Sequence, residues 1–134
     1  MAETFHLSLL TPERSCLEAE VVSIVAPGSE GYLGVLAHHA PLITGLIPGK
    51  LEVKDAEGER IFAISGGFLE VSDNKATILA DALEPPESID VTRARRARER
   101  AEEGLRDMSG KMDSARAEMA LARAINRIRI ASVK

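Results

Sequence analysis

The chain has one cysteine, no tryptophan and only four aromatic residues in 134, and each shortage excludes something. A lone Cys16 cannot close an internal disulfide, and it cannot supply a two-cysteine metal or redox motif. Apolar runs are only a few residues long, far short of the roughly 20 that cross a bilayer. The opening Met-Ala-Glu-Thr-Phe-His lacks the basic start and apolar stretch of a signal peptide. Cytosolic exposure is therefore the default expectation, and any membrane association is expected to run through another protein. What is present, 45% hydrophobic and 28% charged residues, is an ordinary globular composition. It suffices for one sizeable domain, or for a small domain with an appendage.

Charge divides the chain at Pro85-Pro86. Up to Glu87 there are five basic and fourteen acidic residues, a net of −9; from Ser88 onward there are twelve and seven, a net of +5. All the aromatics (Phe5, Tyr32, Phe62, Phe68), all six prolines, all three histidines and eight of the ten glycines lie in the first segment. That shift predicts a structural boundary: a domain over 1–84, a proline-containing linker over 85–88 and a second unit over 89–134. Runs such as 5–9, 21–25, 51–53, 60–64, 68–71 and 76–79 are strand-length and rich in β-branched or aromatic residues. Turn signals separate them at Pro27-Gly28, 55–58, Ser65-Gly66-Gly67 and Asp73-Asn74. The pattern predicts an antiparallel β-sandwich of eight to ten strands, so the whole chain reads as α+β.

The second segment reads as an antiparallel two-helix hairpin. Ser88 or Asp90 can cap a helix running to about Gly104, with Ala94, Ala97, Ala101 and Leu105 in helical register. A break is expected at Ser109-Gly110, followed by a helix from about Asp113 with Ala117, Ala120, Ala124 and Ile128 on one face. Alanine methyls are worth only about 0.8 kcal/mol each when buried, a small return against the ordering of residues 89–134. Arg93, Arg95, Arg96, Arg98 and Arg100 repel one another on the first helix, as do Arg123, Arg127 and Arg129 on the second. The closed hairpin is thus expected to be marginal, and an anion or a protein partner could decide its state. The plainer interpretation is that these arginines coat solvated faces, helped by the spacings Glu102 to Arg106, Arg95 to Glu99 and Arg98 to Glu102.

Catalytic and phosphate-binding motifs fail on spacing. The segment Gly45-Leu46-Ile47-Pro48-Gly49-Lys50-Leu51 is one residue short of a P-loop, lacks the Ser/Thr that would hold magnesium, and contains a proline that removes a donor amide. Gly28, Gly31 and Gly34 do not follow the dinucleotide pattern and read as turn glycines. His6 and His38-His39 have no partners at metal-ligand spacing. No nucleophile and base constellation is identifiable, so a protein without catalysis of its own is expected, with no catalytic residues and no metal.

Two stretches carry a family resemblance: Gly31-Tyr32-Leu33-Gly34-Val35-Leu36-Ala37-His38-His39-Ala40-Pro41-Leu42 and Ser65-Gly66-Gly67-Phe68-Leu69-Glu70-Val71, followed by the Arg/Ala hairpin. Together, and in this order along the chain, they closely resemble the epsilon subunit of bacterial F-type ATP synthase. Ala37 departs from the proline that the family often has there. The resemblance implies a non-catalytic rotor subunit whose β-sandwich binds the gamma subunit and sits on the c-ring. It also implies a hairpin that either folds against the sandwich or extends into the alpha/beta catalytic hexamer to inhibit ATP hydrolysis. The expected location is the cytoplasmic face of the bacterial membrane, peripheral, without direct insertion.

Some members of that family bind ATP on the folded hairpin through an Ile/Leu-Asp-x-x-Arg-Ala motif, and this chain has Ile89-Asp90-Val91-Thr92-Arg93-Ala94. By position in the family pattern, Glu84, Arg100, Arg123 and Arg127 complete the site. Arg93 and Arg100 are seven apart and Arg123 and Arg127 four apart, so each pair shares a helix face, and antiparallel packing can bring the faces together around a triphosphate. Asp90 and Glu84 become candidates for adenine or ribose contacts, although Asp90 equally suits a helix cap. ATP would be a regulatory ligand, with no motif that demands magnesium. A nucleic-acid-binding protein using the Arg-rich helices is the alternative; against it stand the net negative charge, the acidic companion segment and the lack of aromatics among the basic residues.

Overall fold

The computed structural model describes residues 2–107 and 113–132. The chain divides into two compact units, Met1–Glu84 and Pro85–Lys134. The first is a single folded-over sheet of eight strands: β1 Phe5–Thr11, β2 Arg14–Val21, β3 Ser23–Gly28, β4 Gly31–Leu36, β5 Leu42–Asp55, β6 Gly58–Ser72, β7 Lys75–Ala80 and β8 Leu83–Glu84. Their order is β2-β1-β7-β6-β5-β3-β4, with β8 pairing beside β7 on β6. Pairing is antiparallel except between β1 and β7, which run parallel with His6 opposite Lys75 and Leu10 opposite Leu79.

The runs 60–64 and 68–71, which the sequence separates by an expected turn, belong to one 15-residue strand, β6, and Ser65-Gly66-Gly67 lies inside it. Gly66 and Gly67 adopt φ of +114° and +139°, which only glycine tolerates without strain. Their effect shows in the burial pattern. Ile64 and Gly66 point inward before the bend and Leu69 and Val71 after it, so the inward phase shifts by one residue. The paired strand β5 makes the same shift, from Leu46 to Leu51 and Val53. The glycine pair thus folds the sheet over its own core instead of ending a strand.

That core is filled from alternate positions. Phe5, Leu7 and Leu9 of β1, Ile24 and Ala26 of β3, and Ala76, Ile78 and Ala80 of β7 are all buried with Leu51, Ile64 and Leu69. Gly28 and Gly31 are register partners across a two-residue turn between β3 and β4, so these glycines serve a hairpin. The rejected P-loop segment lies within β5, where its backbone is committed to pairing with β6. The β5–β6 turn is closed by Asp55, whose carboxylate accepts from the amides of Glu57 (2.8 Å) and Gly58 (3.1 Å) and from Arg60 (3.1 Å). The Glu57 amide first, then the Arg60 guanidinium and after it the Gly58 amide, hold the carboxyl below the usual carboxylate range. The stability it contributes is therefore present above its unfolded pKa and lost as pH falls through its lower folded value. A carboxyl titration followed by NMR should show Asp55 ionising at lower pH than an ordinary aspartate, with an upward shift in Arg60→Ala.

The second unit opens on a 3-10 turn, Pro86–Ser88, followed by α1 (Val91–Arg106) and α2 (Ser114–Ala131). Each helix starts on an aspartate: Asp90 accepts from the amide of Arg93 at 3.0 Å, and Asp113 from the amide of Ala115 at 2.9 Å. Helix α1 runs through Gly104 to Arg106, slightly past its expected end. The expected break at Ser109-Gly110 lies outside the described residues.

Candidate functional site

Two features carry chemistry: the flanks of the helical hairpin and the outer surface of the sheet. In the hairpin, Ala94, Ala101, Ala117 and Ala124 are each no more than 3% exposed, forming the seam between α1 and α2. Val91, Arg95 and Arg98 near the start of α1 line one cavity with Ile125, Ile128 and Arg129 near the end of α2, so the helices pack antiparallel. Helical periodicity then places Arg93 and Arg100 on one flank of the seam, together with Arg123 and Arg127, and leaves Arg95, Arg98 and Arg129 on the other.

Of the eight residues assigned from the resemblance, Glu84 ends β8 in the first unit and the other seven lie in the second. Arg93 and Arg100 are exposed, while Arg123 and Arg127 are half-buried. Ile89 and Ala94 are buried, so their side chains can support a ligand only from beneath. Asp90 is the helix cap, with Oδ1 taken up by the Arg93 amide. Replacing it with alanine should cost about 1 kcal/mol of hairpin stability, measured as a loss of helical circular dichroism on heating. Of the three spacings that could pair charges along α1, the ion pair found among the described residues is Arg98 with Glu102, at 3.5 Å. Among those residues there is no group of three or more His, Cys, Asp or Glu placed to hold a metal ion. Among the described residues no helix is long and apolar enough to cross a membrane.

The sheet shows a surface that reading the sequence did not isolate. Phe68 and Leu79 are register partners on β6 and β7, and both are largely exposed, at 62% and 47%. Phe68 also stands opposite Gly45, and Ile43, two residues along β5 on the same side, is 74% exposed. Gly45 leaves the ground between them flat, for nothing lies within 4 Å of where its Cβ would be. Three large apolar side chains thus share one outer face, a grouping uncommon on a surface that meets only water. Only strand register reveals it, because each residue sits in an apolar run that reads as core.

Comparison with known proteins accords with both units. Residues 4–86 match the ATP synthase delta/epsilon chain beta-sandwich domain, and residues 87–132 match the long alpha-helix domain of the same family. The ATP synthase epsilon chain of Moorella thermoacetica is 50% identical over 129 residues, covering 96% of each chain. That of Syntrophomonas wolfei is 49% identical over 131 residues, again with 96% of each covered. A chain in the cryo-EM structure of the Euglena gracilis mitochondrial ATP synthase OSCP/F1/c-ring assembly superposes with a TM-score of 0.83 at 29% identity, covering 94% of this chain and 80% of that one. One from the Tetrahymena thermophila central stalk and c-ring shares the fold at 17% identity, with a TM-score of 0.62 over 98% and 97% of the two chains. With both domain types matched in order, the chain belongs to the ATP synthase delta/epsilon family, as a non-catalytic epsilon subunit of the F-type enzyme.

Proposed function

We propose that this subunit works as a docking domain carrying a ligand-set switch. Residues 1–84 bind the gamma subunit and rest on the c-ring, 85–88 form the linker, and 89–134 are the regulatory hairpin. Folded, the hairpin binds ATP through Arg93, Arg100, Arg123 and Arg127, with Ile89 and Ala94 beneath and Asp90 and Glu84 toward the base or ribose. Extended, it enters the alpha/beta hexamer and inhibits hydrolysis. The subunit is peripheral, held at the cytoplasmic face of the bacterial membrane by its partners.

The observation that carries the switch is the seam itself, made of alanines that bury well but contribute little, flanked by arginines on both sides. A leucine seam would hold the helices together without help; this one gains from any anion that offsets the flanking charge. Hydrolysis by an epsilon-depleted ATP synthase tests the reading. The full chain should inhibit at low ATP and release its inhibition as ATP rises, whereas a chain cut after Ser88 should still bind the enzyme but not inhibit. Inhibition that ignores ATP concentration would remove the switch.

Docking rests on the Ile43, Phe68 and Leu79 face. Burying a phenylalanine is worth about 1.5 to 3 kcal/mol, so Phe68→Ser should weaken binding to gamma roughly ten- to hundredfold. Because Phe68 is exposed in the free chain, its melting temperature should barely move. Unchanged co-purification of the variant with gamma would place the contact elsewhere.

A further inference from the structure

The flank of the hairpin opposite the proposed nucleotide arginines holds a cavity of about 480 Å³, a size typical of small-molecule sites, which span about 300 to 1,000 Å³. Val91, Ile125 and Ile128 give it an apolar lining, and Arg95, Arg98 and Arg129 supply the charge. Arg98 is partly neutralised by Glu102 at 3.5 Å. The guanidinium groups of Arg95 and Arg129 make no hydrogen bond or ion pair among the described residues, although the Arg129 carbonyl accepts from the Ser132 hydroxyl at 2.7 Å. The helix dipoles do not alter this balance, for the start of α1 and the end of α2 lie together at this cavity and their partial charges oppose each other. The site is therefore cationic through its guanidinium groups and apolar through its aliphatic side chains.

We propose that this cavity binds an amphiphilic phosphate, an alkyl or aryl phosphate monoester. Its dianionic head is forked by Arg95 and Arg129, which approach from different helices, and its apolar body lies on Val91, Ile125 and Ile128. Inorganic phosphate would leave the apolar lining wet, and a neutral hydrocarbon would leave the arginines unrelieved, so both parts of the ligand are needed. A partner helix is a poorer fit, because the lining covers only 91–98 and 125–132, about two turns of each helix. Since both helices contribute, filling the cavity also holds the hairpin closed.

Calorimetric titration of the full chain with hexyl phosphate, inorganic phosphate and hexanol tests this. Hexyl phosphate should bind at least about tenfold more tightly than either of the others. An Arg95→Gln, Arg129→Gln variant should lose at least about tenfold in affinity, and Arg129→Lys, which keeps the charge without the fork, should fall between. Arg123→Ala, Arg127→Ala should bind hexyl phosphate as the parent does, so failure of the ATP assignment and failure of this one are separable. Equal binding of inorganic phosphate, affinity unchanged in the double glutamine variant, or displacement of hexyl phosphate by an acidic amphipathic peptide of higher affinity would each overturn the assignment.

Discussion

Titrating ATP into the full chain should release heat and stabilise the helices, and the Arg123→Ala, Arg127→Ala variant should show neither effect. Hydrogen bonds to charged groups contribute about 1.5 to 3 kcal/mol each, so losing two guanidinium partners should lower ATP affinity by more than about a hundredfold. At a ligand concentration one hundred times its dissociation constant, binding adds about 2.7 kcal/mol to the closed form. That is several times the contribution of one seam alanine, at about 0.8 kcal/mol, so helical melting should shift while melting of the sheet does not. The division of the chain into two compact units, one all sheet and one helical, gives the experiment an internal reference. ATP binding that survives in the double variant would move the triphosphate away from this flank.

The second large effect is expected at Gly67. An alanine Cβ there would press on the Leu79 carbonyl oxygen and lie 2.9 Å from the Ala80 Cα, both backbone atoms of β7 that cannot turn aside. The φ of +139° adds strain for any residue with a side chain. Strain of about 1 to 3 kcal/mol and overpacking of about 1 to 3 kcal/mol together approach the whole stability of a small domain, about 5 to 15 kcal/mol. Gly67→Ala should therefore unfold the sheet at a much lower denaturant concentration. Gly58→Ala is the control: its φ is +146°, but nothing lies within 4 Å of the added methyl, so only strain should be felt. If the two variants melt alike, close approach of β7 is not what requires Gly67.

The alternating burial of β1 and β7, the two-helix unit and the aspartate cap at Asp90 could be read directly from residue pattern. Strand β2 could not, since Arg-Ser-Cys-Leu-Glu-Ala-Glu has weak strand preference; as an edge strand it takes its conformation from β1 alone. Strand β4, with two glycines in six residues, is the other edge and was hidden in the same way. Ser65-Gly66-Gly67 misleads because a bend inside a strand uses the same chemistry as a turn between strands. The arginines of the proposed nucleotide site were found by resemblance. Those of the opposite cavity needed the register between two helices, which no local pattern encodes.

The parallel pairing of β1 with β7 also bears on how the chain is made. During synthesis β1 can take β2 at once, but its other edge stays bare until Lys75–Ala80 has emerged from the ribosome. An open strand edge is an invitation to intermolecular association, and contacts between distant parts of a chain form slowly. The helices, by contrast, pair with near neighbours in sequence. Refolding from denaturant should accordingly recover helical signal first, and losses to aggregation should fall as the protein concentration or the temperature is lowered while the unfinished sheet waits for its closing strand.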